Sequence, residues 1–326
     1  MPSITVSGLG KTYRTALRGR GLGGAVKGLF RREYREIVAL RDLTFSVDEG
    51  EILGYIGPNG AGKSTTIKIM SGIMRPDSGE CVVAGMVPWA DRINHVRRIG
   101  VVFGQRTQLW WDLPTIESFS LLKTMYRVPD RVFRENLQEL VDLLDLEPLL
   151  PMPVRQLSLG QRMRCELVAS LLHGPRILFL DEPTIGLDAQ AKIAVRRFIR
   201  EYNRRKKVTI VLTTHDMDDI EELSHRILVL KEGELIYSGD VDGLRESSGA
   251  MRRLIIDTRG DGAVAPIAGA EATEEHGRLV YRYDPRRTNV TEIMASVSES
   301  RQVLDLFSEW EPIEEIIARL YEERVE

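Results

Sequence analysis

The sequence has little cysteine, no long apolar segment and no excess of charge of one sign. Only Cys81 and Cys165 are cysteine among 326 residues, which excludes a disulfide scaffold and fits a reducing cytoplasm. No apolar run approaches the roughly 18 residues that a membrane helix needs, and no apolar signal segment opens the chain. The 45 basic and 48 acidic side chains leave a formal charge of −3, which argues against nucleic-acid binding through a global basic field. These features permit a soluble cytosolic enzyme of two parts and say nothing about its reaction.

Strand-like and helix-like patterns alternate through about the first 240 residues, which predicts a largely parallel sheet covered by helices. Apolar runs at 52–56, 177–180, 208–212 and 227–230 indicate its buried strands. Polar residues gather just beyond the C-terminal ends of these runs, which is the edge where open α/β sheets bind ligands. We therefore expect the chemistry of the chain in those loops.

Two further segments divide the chain. Residues from about 106 to 165 contain a predicted helical subdomain, because apolar side chains near 115–150 recur at helical spacing. From about residue 247 the pattern becomes strand, strand, helix, strand and helix, after a Ser-Ser-Gly break that is typical of a linker. The sequence thus predicts a large domain over 1–246 and a small α+β domain over 247–326.

The run from Gly57 to Ser64 matches the pattern G-x-x-x-x-G-K-[ST] in full, between a predicted strand and a predicted helix. Its glycines let backbone N–H groups point at phosphate oxygens, and the helix adds its positive end. We expect Lys63 to reach the β- and γ-phosphates of a nucleotide and Ser64 to hold Mg²⁺. The predicted nucleotide-binding residues of this region are Gly57, Pro58, Asn59, Gly60, Ala61, Gly62, Lys63, Ser64 and Thr65.

An acidic pair follows the second apolar run. Asp181 stands at the end of a very apolar predicted strand, where it can bind Mg²⁺ through water. The adjacent Glu182 can accept a proton from attacking water. Alone, the pair would be read as a turn with a helix cap; beside a phosphate loop it predicts nucleotide hydrolysis.

Together with other motifs in the same order, these residues resemble the nucleotide-binding subunit of an ABC transporter over roughly residues 3–245. The segment Leu-Ser-Leu-Gly-Gln at 157–161 is similar to that family's signature motif and lies about twenty residues ahead of the acidic pair. The other matching residues are Gln105 for the Q-loop glutamine (with Gln108 as a second candidate), His215 for the switch histidine, Asp188 in the D-loop 185–188, and Tyr13 for the aromatic residue beside adenine.

The resemblance implies the fold and the cofactors. The fold is an α/β P-loop NTPase (RecA-like) core with an antiparallel β subdomain and a helical insertion, followed here by the small α+β domain. The cofactors are ATP and Mg²⁺. In this family two chains enclose two ATP molecules, and the signature of one chain binds the γ-phosphate that its partner holds. That role falls to Ser158, Leu159, Gly160 and Gln161.

The resemblance also implies roles near the γ-phosphate. Gln105 would bind Mg²⁺ and couple the attacking water to a transmembrane partner, while His215 would contact the γ-phosphate and brace Glu182. Asp188 would lie at the dimer seam, and Tyr13 would stack on the base. Two positions depart from the family pattern: Leu159 stands where glycine is usual, and Ile185-Gly186 replaces a commoner small pair.

Residues 14–37 form a basic insertion, rich in Arg and Gly, that the flanking segments do not match. Its apolar residues fall at helical spacing and predict a basic amphipathic helix: Val26, Leu29, Phe30, Tyr34 and Ile37. Such a helix can lie on an anionic membrane surface or against a transmembrane subunit. A flap that packs its apolar stripe on its own domain is an equal alternative.

Trp110 and Trp111 stand next to the Q-loop, where the family contacts its transmembrane partner. We expect at least one of them to contact that partner, because burying both in so polar a run is unfavourable. This segment and the basic insertion together resemble a prokaryotic drug- or antibiotic-export group of the family.

The leading hypothesis is therefore the ATPase of an exporter. It would lie at the cytoplasmic face of the membrane and pair with a second copy of itself or with a paralogous subunit. A separate transmembrane permease would carry the substrate, and no nucleic acid is expected as a partner. The alternative substrates are a polysaccharide, teichoic acid or lipid. A soluble, non-transport ABC ATPase and an importer subunit remain as weaker alternatives.

Overall fold

A computed structural model of the chain describes residues 2–16, 34–104, 106–260, 262–263 and 266–322. The chain divides into two compact units, Met1–Asp240 and Val241–Glu326. The predicted break near Ser247 lies inside the second unit, because Ser247 ends a helix of that unit. Ser248 and Gly249 form a turn after this helix.

The first unit combines two sheets with surrounding helices. Its strands are β1 (Pro2–Ala16), β2 (Tyr34–Asp48), β3 (Ile52–Ile56), β4 (Ser78–Val83), β5 (Ile99–Phe103), β6 (Ile177–Asp181), β7 (Thr209–Thr213), β8 (Arg226–Lys231) and β9 (Glu234–Gly239). Its helices are α1 (Lys63–Met70), α2 (Arg92–Val96), α3 (Thr115–Tyr126), α4 (Asp130–Leu144), α5 (Leu159–Leu171), α6 (Ala189–Lys206) and α7 (Met217–Leu223), with 3₁₀ turns at Glu147–Leu149 and Val154–Gln156.

The larger sheet has the strand order β5-β6-β7-β3-β8-β9. Its neighbours pair in parallel except for β9, which runs antiparallel to β8. Every residue of β3 and β7 is buried, as expected of strands that helices cover on both faces. The parallel arrangement brings the C-terminal ends of β3, β6 and β7 to one edge, where the predicted site residues follow.

The smaller sheet is antiparallel, with the order β2-β1-β4. Along β1 the buried residues Ile4 and Val6 alternate with exposed ones, so one face of this sheet contributes to an apolar core. That core also contains Tyr55 of β3 and Phe179 of β6. The two sheets of the first unit therefore share one buried layer.

The described part of the basic insertion is strand, and the helix predicted through Tyr34 and Ile37 is wrong at those residues. β1 and β2 pair along a ladder that extends to Ala16 opposite Tyr34. The neighbouring strand supplies hydrogen bonds to the backbone, which outweighs the helical spacing of apolar residues. Tyr34 and Ile37 are 53% and 48% exposed. The predicted helical residues Val26, Leu29 and Phe30 lie outside the described residues.

The helical insertion contains α3, α4 and α5. In α4 the buried residues Phe133, Leu140, Val141 and Leu144 form its apolar face. Helix α5 begins at Leu159, because Ser158 and Gln161 form a capping box there. The Gln161 N–H donates to Ser158 Oγ at 3.2 Å, and the Ser158 N–H donates to Gln161 Oε1 at 2.9 Å.

The second unit is a small α+β unit. Its elements are α8 (Val241–Ser247), β10 (Arg252–Arg259), β11 (Ala270–Glu275), β12 (Arg278–Tyr283), α9 (Val290–Ser300), β13 (Gln302–Trp310) and α10 (Ile313–Glu322). The sheet has the order β11-β12-β10-β13, and all of its pairs are antiparallel. Ile293 and Val297 of α9 pack with Leu254, Ile256 and Tyr281 in its core.

Among the described residues, no helix combines the length and apolar character that crossing a bilayer requires. Cys81 and Cys165 are both buried and unbridged. Burial raises the pKa of each thiol to about 12, so neither is a reactive thiolate near neutral pH.

Tyr281→Phe should leave the second unit as stable as before, or stabilise it by up to about 1 kcal/mol. Tyr281 is fully buried, and its hydroxyl has no hydrogen-bond partner among the described residues. Tyr55 is equally buried in the first unit, but its hydroxyl donates to Thr66 Oγ1 at 3.0 Å. Tyr55→Phe should therefore cost about 1 kcal/mol. Urea unfolding measures the free energy of unfolding of both variants. An equal loss in the two would contradict the difference in hydrogen bonding between the two hydroxyls.

Candidate active site

The phosphate-binding pattern from Gly57 to Ser64 spans the loop that joins the buried strand β3 to helix α1. Gly62 caps α1 with a φ of 106°, and an added Cβ would lie 2.6 Å from the Ala39 carbonyl oxygen, so only glycine fits. Gly62 supplies no side-chain cap, which leaves first-turn N–H groups of α1 available to an anion. The Ala61 N–H donates to the Pro58 carbonyl at 3.1 Å and closes the loop.

Lys63 is a buried cation within this loop. Its ammonium donates to the Gly57 carbonyl at 2.5 Å and to the Pro58 carbonyl at 3.2 Å, and only 6% of the residue is exposed. Burial lowers the pKa of Lys63 below its usual value, while the carboxylates of Glu182 and Asp181 act in the opposite direction. The ammonium is thus held at the centre of the loop, facing the acidic end of β6.

The acidic pair lies between two adjacent strand ends. Asp181, the last residue of β6, accepts a hydrogen bond from the Thr213 hydroxyl at 2.6 Å. Glu182 has a φ of 56°, a left-handed backbone that is unusual for a non-glycine residue, and its N–H donates to the Thr213 carbonyl at 2.9 Å. Its Oε1 lies 2.9 Å from His215 Nε2. The fold therefore brings Glu182 and His215 into contact.

A cavity of about 260 Å³ lies beside the loop and the acidic pair. Ser64, Asp181 and Glu182 line it together with Lys68, Ile73, Phe103, Gly104 and Arg106. One hydroxyl and two carboxylates are the oxygen ligands that Mg²⁺ prefers when substrate phosphates complete its shell. The residues present therefore fit a Mg²⁺–nucleotide site. Among the described residues no three His, Cys, Asp or Glu side chains are grouped so as to hold a metal ion, so phosphates would have to supply further ligands.

Tyr13 and Thr65 lie close together across this unit. The Tyr13 hydroxyl lies 3.2 Å from Thr65 Oγ1, and it also contacts the Met74 sulfur at 3.3 Å. Tyr13 belongs to β1, whereas Thr65 belongs to α1, so the antiparallel sheet places the aromatic ring next to the helix that follows the loop.

The signature residues lie apart from the cavity of their own chain, since no described residue lining it belongs to 158–161. Ser158 and Leu159 are exposed at the start of α5. An added Cβ at Gly186 would lie 3.1 Å from Leu159 Cδ2, so the signature packs on the D-loop. In that loop Asp188 caps α6, because its Oδ1 accepts the Ala191 N–H at 2.8 Å.

The described residues that follow the Q-loop glutamine, Thr107 and Gln108, are hydrogen-bonded to α5. Gln105 itself lies outside the described residues. Glu166 of α5 is 4% exposed and accepts a hydrogen bond from the Thr107 hydroxyl, while the Gln108 N–H lies 3.3 Å from its Oε2. Gln108, the second candidate for the Q-loop glutamine, points its amide at the Glu166 carbonyl at 3.3 Å.

Both tryptophans of this segment are exposed. Trp110 is 38% exposed and Trp111 is 50% exposed, with the Arg162 guanidinium 5.8 Å from the Trp111 ring centroid. A separate cleft of about 540 Å³ carries the exposed apolar residues Ile93 and Met125. Its remaining lining residues are Arg92, Val96, Arg97, Tyr126 and Arg127.

Sequence reasoning missed the polar residues that hold these loops. Thr213 bonds Asp181, Glu166 bonds the Q-loop flank, and Asp219 bonds two threonines near the acidic pair. The polar pair Thr213-Thr214 at the end of an apolar run was a usable signal for the first. Glu166 and Asp219 gave no such signal, because Thr107 lies 59 positions from Glu166 and Thr184 lies 35 positions from Asp219.

Comparisons with known proteins give a consistent result. The family model described as ABC transporter matches residues 40–185. The Nod factor export ATP-binding protein I of Burkholderia pseudomallei is 37% identical over 209 residues, which cover 64% of this chain and 68% of that protein. The methionine import ATP-binding protein MetN 2 of Enterococcus faecalis is 32% identical over 220 residues, covering 66% and 64%.

A solved dimeric ATP-binding cassette, in a post-hydrolysis state bound to ADP and phosphate, has a TM-score of 0.61 with this chain. It is 26% identical and covers 73% of this chain and 98% of its own. The predicted α/β P-loop NTPase fold is thereby confirmed, as is the prediction of ATP hydrolysis.

Glu166→Gln should raise the free energy of unfolding above that of the unchanged protein. The gain should be larger at pH 8 than at pH 5. Burial raises the pKa of Glu166, although hydrogen bonds from Thr107 and Gln108 act against this. The folded state then binds this proton more tightly than the unfolded state. Stability contributed by the protonated form is therefore lost as pH rises from about 4.5 through the raised pKa. The glutamine variant does not titrate there.

Urea unfolding of both proteins at the two pH values measures this difference. Glu49→Gln, in an exposed turn, is the control and should show no such trend. A stability difference for Glu166→Gln that is the same at both pH values would contradict the buried, proton-binding carboxyl.

Proposed function

The chain belongs to the ABC transporter ATP-binding family, and on that premise we propose that it powers export as one half of a two-cassette ATPase. Its coarse function, the ATP-binding subunit of an ABC transporter that hydrolyses ATP, follows from the family. The proposal adds the direction of transport, the partners and the role of each site residue.

The observation that carries the dimeric part of the proposal is the position of the signature. Ser158 and Leu159 are exposed and do not line the cavity beside their own phosphate loop, so far as the described residues go. An N-terminal helix end that is open to solvent suits an anion held by another molecule. A second copy, or a paralogous subunit, would place its γ-phosphate there and receive this chain's γ-phosphate in return.

In the proposed mechanism the loop from Gly57 to Ser64 binds the phosphates. The Lys63 ammonium would exchange its carbonyl partners in the loop for β- and γ-phosphate oxygens. Ser64 and Asp181, with Gln105, would hold Mg²⁺, which when bound neutralises charge that develops on the phosphates. Tyr13 would stack on the adenine ring.

Glu182 is the proposed general base. It would accept a proton from the water that attacks the γ-phosphate, and it lies in the same cavity as Ser64. His215 would orient the Glu182 carboxylate through their 2.9 Å contact and reach the γ-phosphate from its exposed position. The left-handed backbone of Glu182, which is unusual for a non-glycine residue, supports a role outside packing.

The transmembrane partner would dock beside the Q-loop, at the cytoplasmic face of the membrane. Exposed Trp110 and Trp111 supply aromatic anchors for a helix of a permease. The cleft with Ile93 and Met125 supplies a further apolar surface that a monomer would not need. The basic insertion 14–37 would add a contact with that subunit or with the anionic membrane surface.

Export is favoured over import by the relatives. The Nod factor export protein is 37% identical to this chain, and the methionine import protein is 32% identical. The Trp pair and the basic insertion agree with the drug- or antibiotic-export group. A polysaccharide, teichoic-acid or lipid exporter is the alternative.

Glu182→Gln should keep ATP binding but lower turnover at least about 100-fold, because the amide cannot accept the proton from water. ATP would then accumulate in a closed dimer. Size-exclusion chromatography and the ratio of bound ATP per chain measure this state. Lys63→Ala should instead bind ATP poorly and stay monomeric. Full turnover in Glu182→Gln would remove Glu182 as the base.

The direction of transport is tested with the permease that co-purifies with this chain. In inside-out vesicles the ATPase faces the added ATP, so an exporter should accumulate a labelled substrate inside the vesicles. Vesicles that carry the Glu182→Gln variant are the control and should accumulate none. ATP-driven loss of preloaded substrate from these vesicles would contradict export.

A further inference from the structure

The proposed catalytic pair stands on two different loops. Glu182 follows β6 and His215 follows β7, and their side chains meet at 2.9 Å. The side chain of His215 is 46% exposed, so close packing does not fix its position. The contact between Glu182 and His215 therefore depends on the interactions that keep the backbones of the two loops at a constant separation.

One buried carboxylate bonds both loops. Asp219 of α7 is 1% exposed, and its Oδ2 accepts hydrogen bonds from the hydroxyls of Thr184 and Thr214, the latter at 2.8 Å. Thr184 comes two residues after Glu182, and Thr214 comes directly before His215. The same oxygen atom thus ties together the loops that carry the two catalytic side chains.

The negative charge of the Asp219 carboxylate is balanced by an arginine on a third element, α6. Arg196 of α6 is 5% exposed, and its Nε donates to Asp219 Oδ1 at 2.5 Å. Burial works against the charge of Arg196, but the hydrogen bond and charge of Asp219 together with Asp216 and Glu222 raise its pKa, so it stays a cation. A buried carboxylate with a paired cation and two hydroxyl donors has its hydrogen-bonding capacity well used.

We propose that Asp219 is a positioning residue for ATP hydrolysis, which holds Glu182 and His215 in contact through the hydroxyls of Thr184 and Thr214. It touches none of the reacting atoms. Its effect passes through the backbone of the two loops, so its loss lets His215 move away from Glu182 while the phosphate loop stays intact. This inference rests on the proposed roles of Glu182 and His215.

The test uses Thr184→Val and Thr214→Val, which keep side-chain volume and leave the Arg196–Asp219 pair in place. Each should lower kcat about 10-fold while ATP affinity changes less than about 2-fold, because misplacing a catalytic group affects turnover rather than binding. Steady-state hydrolysis at saturating ATP gives kcat, and equilibrium ATP binding gives the affinity. Thermal unfolding checks that both variants are folded.

Combining Thr214→Val with His215→Ala separates positioning from general destabilisation. If Thr214 acts through His215, the valine change should cost less than about 2-fold in kcat once His215 is absent. The matched control is Thr124→Val on the exposed side of α3, where the hydroxyl bonds only the Ser120 carbonyl of its own helix, and it should turn over normally. An equal loss from Thr214→Val with and without His215, or normal kcat in both valine variants, would overturn the proposal.

The catalytic roles of Glu182 and His215 and the positioning role of Asp219 can be tested separately. Full turnover in Glu182→Gln and His215→Ala would remove the catalytic roles on which the positioning depends. Large losses in those two variants together with normal turnover in Thr184→Val and Thr214→Val would leave the catalytic roles standing and remove Asp219 as the positioning residue.

Discussion

The parallel pairing of β6 with β7 is the constraint on which the rest of the site depends. Asp181 stands in register with Thr213, and the Thr213 hydroxyl bonds the Asp181 carboxylate at 2.6 Å. On its other side β7 pairs with β3, so the phosphate loop begins at the same sheet edge. A slip of one residue would turn every side chain of β6 to the opposite face and direct Asp181 away from the cavity. The chemistry therefore depends on the sheet register before it depends on any single side chain.

Much of this edge was predictable from sequence because the information is local. The phosphate loop carries its pattern in consecutive residues between an apolar run and a helix, and the acidic pair ends another apolar run. The start of α5 is also encoded locally, since Ser158 and Gln161 have capping-box spacing.

Pairings between distant segments were not predictable in the same way. Arg196 lies 23 positions from Asp219, and Thr107 lies 59 positions from Glu166, so only the folded sheet and helices bring them together. Tyr34 and Ile37 show the same limit, because their helical spacing was overridden by the ladder that β1 offers. The near-neutral net charge likewise conceals a highly charged cluster around the buried pair Arg196 and Asp219.

The two departures from the ABC pattern are physically linked. Leu159 replaces a usual glycine in the signature, and its Cδ2 lies over Gly186 of the D-loop, where an added Cβ would come within 3.1 Å. Gly186 also has a φ of 71°, which disfavours any larger residue at that position. Leu159 and Gly186 therefore fit each other sterically, so neither departure disrupts the packing of the signature on the D-loop. The exposed side chains of Leu159 and Ile185 consequently add apolar surface at the edge that a second cassette would cover, and burying that surface favours association.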